Sequence, residues 1–144
     1  MRNYVLLLFA FSISSSSIFP TSILPEEPKV KSVVEIIKEY SEEYKVPYFL
    51  AYELAKFESK LCSQVKNPKT SATGCYQFIK STWRDFCDGD VLDNDDNIRC
   101  AMKLIGAGGI QHWTADSYVR LKLWDLGMIK CRDYDKNKCS LIWN

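Results

Sequence analysis

The stretch YELAKFESKLCSQVKNPKTSATGCYQFIKSTW, Tyr52 to Trp83, governs how the chain folds. At its start Ala51, Leu54, Ala55 and Glu58 recur at three- and four-residue spacing, the period of a helix with one buried face. Glu58 therefore stands at the edge of an apolar stripe, where partial loss of water raises the pKa of a carboxyl group. A glutamic acid that keeps its proton near neutral pH can serve as a general acid. Most glutamates are only exposed helix carboxylates, which is the plain alternative for Glu58. A loop with Pro68 and the run Ser71-Ala72-Thr73-Gly74 leads to a second short helical pattern, Tyr76, Phe78, Ile79 and Trp83. That loop would bend the chain back over Glu58.

On the amino-terminal side, Ser32 can cap a helix reaching to about Lys45, with Val33, Ile36, Ile37 and Tyr40 on one face. Pro47 suits the first turn of the helix that carries Glu58. Beyond Trp83, residues 87–96 hold Asp88, Asp90, Asp93, Asp95 and Asp96. A calcium loop counted from Asp88 would need glycine at its sixth place and glutamate at its twelfth. Asp93 and Arg99 stand there, so the segment reads as a solvated turn whose last acids cap the next helix. That helix, Asn97 to about Ile105, stops at Gly106-Ala107-Gly108-Gly109. Ile110, Trp113, Tyr118, Leu121, Leu123 and Trp124 add apolar matter, and residues 118–144 carry no motif that converts into chemistry. With no long alternating run, the class is mainly α.

Length suits one domain, residues 32–144, with a single core. The balance of 19 basic against 18 acidic residues gives no nucleic-acid signal. Arg2, the apolar run Tyr4 to Phe11 and the serines after it read as a signal peptide over residues 1–19, an uncleaved anchor being the alternative. The run is too short to span a membrane, which takes about 20 apolar residues. Pro20, Pro25 and Pro28 make residues 20–31 a linker. Such a chain is secreted, to the periplasm or the cell exterior. Its six cysteines then imply three disulfides, with about 15 connectivities open. Neighbour pairing is favoured: Cys62 with Cys75 to close the loop after Glu58, Cys87 with Cys100 to tie two helices, and Cys131 with Cys139 to staple the tail. Zinc is disfavoured, since no C-x-x-C occurs and His112 is the only histidine.

Glu58-Ser59, Asn67-Pro68, the Ser/Thr/Gly turn, Gly74-Cys75-Tyr76-Gln77-Phe78 and Ser81-Thr82-Trp83 come in an order that resembles the soluble lytic transglycosylases, relatives of the goose-type lysozymes. The likeness covers roughly residues 45–115, about half the chain, and extends to the helix Asn97-Ile98-Arg99-Cys100-Ala101. It implies a lysozyme-like fold with Glu58 as the catalytic acid. The family's Gly-Leu-Met-Gln turn falls on Gly74 to Gln77, and its Pro-Ser-Thr helix start falls on Lys80-Ser81-Thr82. Lys60 stands where the family usually has glycine, and Leu104 where its helix tyrosine is expected.

The resemblance further implies cleavage of the bond between N-acetylmuramic acid and N-acetylglucosamine by one Glu acting as acid and then as base, with an anhydro product. Ser59, Ser71, Tyr76, Gln77 and Trp113 are the candidate glycan contacts, with Tyr76, Trp83 and Trp113 as candidate platforms for sugar rings. His112 has no partner by spacing and is assigned to the surface or cleft edge. No second acid is placed by spacing, and an N-acetyl carbonyl on the sugar can take its part. In a hydrolytic muramidase, the alternative, Asp85, Asp88 or Asp90 would position water. A catalytically silent wall-binding protein of the same fold is the rival of another class. The reading is of a monomer acting on peptidoglycan strands, with no cofactor or metal and no nucleic-acid partner.

Overall fold

Ser32 opens the first helix, α1 (Val33–Glu43), through a capping box in which its hydroxyl accepts from Glu35 N while the Glu35 carboxylate accepts from Ser32 N. Caps of this kind hold a helix end by about 1 kcal/mol. The computed structural model describes residues 29–132, 135 and 138–142. The signal expected over residues 1–19 and most of the linker lie outside them, and residues 29–31 run without regular structure into the cap. Pro47 precedes α2 (Tyr48–Ser59), as its fixed φ favours. Three more helices of ordinary length come next, α3 (Lys80–Phe86), α4 (Asn94–Gly106) and α6 (Ser117–Asp125), with the single turn α5 (Gln111–Thr114) before the last. A hairpin of β1 (Ile129–Cys131) and β2 (Cys139–Leu141) closes the order.

The core forms where α1 packs on α2 and α4. Ile37 of α1, Leu50, Ala51, Leu54 and Ala55 of α2, and Ile98, Ala101, Met102 and Ile105 of α4 are buried there. Each large aliphatic side chain so removed from water contributes roughly 1.5–3 kcal/mol. The helical spacing read from Ala51, Leu54, Ala55 and Glu58 is therefore the inner face of α2. The tail, for which the sequence offers no motif, adds Met128, Ile129 and Leu141 to the same core, with α5 and α6 packed on the hairpin.

The structure pairs Cys62 with Cys75, Cys87 with Cys100 and Cys131 with Cys139, so no thiol is free. Cys131 and Cys139 are directly opposite in the hairpin register. Two element boundaries differ from expectation. The helix anticipated at Asn97 starts at Asn94, because Asp93 is its cap and accepts from Asp96 N. The helical pattern anticipated from Tyr76 begins only at Lys80. Thr73 and Phe78 instead exchange backbone hydrogen bonds of 3.0 and 2.9 Å, and the tight turn between them holds Gly74 and Gln77 at φ of +85° and +50°. Residues in the left-handed region cannot continue a helix.

Candidate active site

Helix α2 ends in Lys60, Leu61 and Cys62, all in the left-handed region with φ of 54°, 56° and 63°. This is where the sequence has Lys60 in place of glycine, and each such non-glycine residue costs on the order of 1–2 kcal/mol. The reversal is held by Ser59, whose buried hydroxyl accepts from Cys62 N at 2.8 Å and donates to Cys75 O at 2.7 Å. The Cys62–Cys75 bridge crosses the same place. Chain 63–79 is thereby folded back beside Glu58.

Asn97 of α4 fixes the other end of that loop. It is fully buried, accepts from Tyr76 N and donates to Val91 O, both at 2.8 Å. Gly74 passes so close that a Cβ there would lie 1.9 Å from Asn97 Nδ2 and 2.4 Å from Val91 O. Glycine is required by both the space and the positive φ.

A cleft of about 440 Å³ opens between this loop and the α5–α6 segment. Glu58 and Phe57 line it from α2, Asn67, Thr70, Ala72 and Gln77 from the loop, and His112, Trp113, Asp116 and Tyr118 from the far side. The Glu58 carboxyl makes no hydrogen bond or ion pair among the described residues. Burial, and then the negative charge of Asp116, raise its pKa from 4.5 to about 8. At neutral pH Glu58 thus carries a proton that it can give away. Glu53, five residues earlier, does not line the cleft and pairs with Lys56 at 3.3 Å.

The other expected contacts divide. Gln77 lines the cleft, its side-chain amide tied to Gly74 O at 2.8 Å. Trp113 reaches the cleft as a nearly buried wall, with its indole N–H donating to Tyr76 O at 2.8 Å and its ring edge-on to Phe78 at 5.5 Å. Three assignments need correction. Tyr76 is fully buried, with its hydroxyl donating to Ala51 O at 2.8 Å, so it is a core residue and no sugar platform. Ser59 is buried under the loop with its hydroxyl committed to backbone. Ser71 does not line the cleft but is exposed in an adjoining hollow with Thr73, Lys80 and Trp83, the two sharing Phe78 as a wall. Trp83 belongs to that hollow also, packed edge-on against Phe78.

None of Asp85, Asp88 and Asp90, the candidate water-positioning acids, lines the cleft. Asp85 pairs with Arg84, Asp88 borders a small hollow beside the Cys87–Cys100 bridge, and Asp90 ties down Leu92 N. Leu104 does not line the cleft either, whereas Tyr118 does, with its ring edge-on to Phe57 at 6.3 Å. Asp116 and Tyr118 escape the sequence reading. Their one signal is the aspartate that begins a helix, and it speaks for capping rather than for a cleft.

The family model described as the transglycosylase SLT domain matches residues 35–108. No curated protein and no solved structure matches the chain. The matched segment runs from α1 through α4, so it includes Glu58 and Gln77 but neither Trp113, Asp116 nor Tyr118.

Proposed function

The chain belongs to the transglycosylase SLT domain family, with its lysozyme-like fold and peptidoglycan-cleaving activity of the lytic transglycosylase type, and from that premise we propose that Glu58 is its catalytic acid and base. The observation that carries the proposal is a protonated, unpaired carboxyl group that lies inside the matched segment and opens on a cleft. Glu58 gives its proton to the oxygen between N-acetylmuramic acid and N-acetylglucosamine, and that bond breaks as positive charge gathers at the anomeric carbon. The N-acetyl carbonyl of the sugar steadies that charge. The Glu58 carboxylate then takes the proton of the muramyl 6-hydroxyl, whose oxygen closes on the anomeric carbon. Glu58 is restored, a 1,6-anhydro end is formed and no water is consumed.

Gln77, Asn67 and Thr70 supply the polar groups, and Tyr118 the exposed ring, that a sugar chain in this cleft would meet. Three disulfides support work in an oxidising space outside the cytoplasm, with residues 1–19 as the export signal. No described helix is long and apolar enough to cross a membrane. The protein acts as a monomer on glycan strands.

A digest of purified peptidoglycan, read by mass, tests the reaction type. Muropeptides lighter by one water than hydrolytic products are expected. Reducing ends in their place would make the protein a hydrolytic muramidase, the second reading, which the carboxylate of Asp116 in the same cleft favours.

A further inference from the structure

Asp116 is the second acid of the cleft, and it comes from the part of the chain beyond the family match. It is built into the wall rather than hung from it. Its Oδ1 accepts from Tyr118 N at 2.7 Å and from Val119 N at 3.2 Å, capping α6. Those two bonds fix the carboxylate and leave Oδ2 outside the cap. The Phe57 and Tyr118 rings meet edge-on where α2 packs on α6, and Glu58, next to Phe57, and Asp116, two residues before Tyr118, line the same opening.

We propose that Asp116 is a positioning residue of the reaction centre, its capped carboxylate steadying the cationic sugar that forms in the cleft once Glu58 has given up its proton. The proposal rests on Glu58 as the acid. Among the described residues, no lysine or arginine lines the cleft. On α2, Glu53 and Lys56 neutralise each other, and Lys60 follows the helix end, exposed. The loop presents uncharged Asn67, Thr70 and Gln77 to the cleft, while α3 contributes Thr82. His112 of α5 and the Tyr118 phenol line the cleft, and the Arg120 guanidinium is turned to Thr114 O at 2.7 Å. Of these groups, Asp116 is the one whose charge acts on Glu58. Asp116 thus shares the cleft with Glu58 while its carboxylate is held by the cap of α6.

Asp116→Asn and Asp116→Ser both keep a good helix cap, so α6 should form in either, checked by circular dichroism and thermal unfolding. The Glu58 carboxyl is followed by NMR titration of protein labelled with ¹³C in its glutamate side chains, with Glu58→Gln identifying the resonance. In both Asp116 variants the midpoint should fall below that of the parent yet stay above 4.5, because burial, the larger cause, remains. Turnover should drop roughly 10²-fold, the low end for loss of a fixed electrostatic stabiliser, with KM little changed. Variants that titrate and turn over like the parent would reduce Asp116 to a cap and overturn the proposal. Failure of the acid assignment is separate: it shows as cleavage by Glu58→Gln, whereas the titration reads the coupling of the two acids without any cleavage.

Discussion

Glu58→Gln should bind peptidoglycan and fail to cleave it. The amide keeps the shape of the acid and removes the transferable proton, so the loss is at least the roughly 10²- to 10⁴-fold that general acid catalysis supplies. It should exceed that range, because in the proposed mechanism the same group is also the base that activates the muramyl hydroxyl. Release of soluble muropeptides measures the first outcome and sedimentation with insoluble peptidoglycan the second. Glu53→Gln, which removes only an ion pair with Lys56 outside the cleft, is the control and should cleave as the parent does. The substitution has a second consequence, for stability. The folded protein holds the Glu58 proton up to about 8, against 4.5 when the group is unperturbed, so between these values folding takes up a proton and stability falls as pH rises. Glu58→Gln escapes that loss and should unfold at a higher temperature than the parent at pH 8, but not at pH 4. Parental cleavage by Glu58→Gln would sink the assignment. If neither protein cleaves while both bind, the silent wall-binding reading takes its place.

The largest effect on folding is expected at Gly74→Ala. Its φ of +85° alone penalises a side chain by about 1–2 kcal/mol. The added methyl would also stand 2.4 Å from Val91 O and 1.9 Å from Asn97 Nδ2. Asn97 cannot retreat without releasing Tyr76 N and Val91 O, and each buried group left unpaired costs about 1–3 kcal/mol. A total of about 3–5 kcal/mol, and a melting temperature lower by roughly 10 °C or more, is the expected calorimetric result. A change of a degree or two would mean that the turn is not pinned by Asn97 as described.

How far the sequence foretells this depends on what kind of order it is asked for. Within one helix the spacing of apolar residues gives the buried face directly, which is why Leu54, Ala55 and the placing of Glu58 at its edge are legible. Caps are equally local, and Ser32 and the acids before α4 declare themselves. Turns have no period. Tyr76 and Gln77 are neighbours in a loop, and only the left-handed backbone at Gln77 and the grip of Asn97 send one ring into the core and the other side chain to the cleft. Ser59 misleads for a related reason: a serine after a catalytic glutamate suggests chemistry, but the sharp reversal of the chain needs its hydroxyl for two backbone groups. Asp116 is hidden by distance. It stands far along the chain from Glu58, and the two share a cleft because α2 and α6 pack together in the fold.

One desolvated glutamic acid, Glu58, is held to supply the proton for cleavage, and the dependence of turnover on pH bears on it without any substitution. Turnover is measured on purified peptidoglycan at saturating substrate. The neutral form is the active one, so cleavage should persist through neutrality and decline as pH rises through about 8. A decline centred near 4.5, where an ordinary glutamate loses its proton, or a rate unchanged well beyond pH 8, would contradict it.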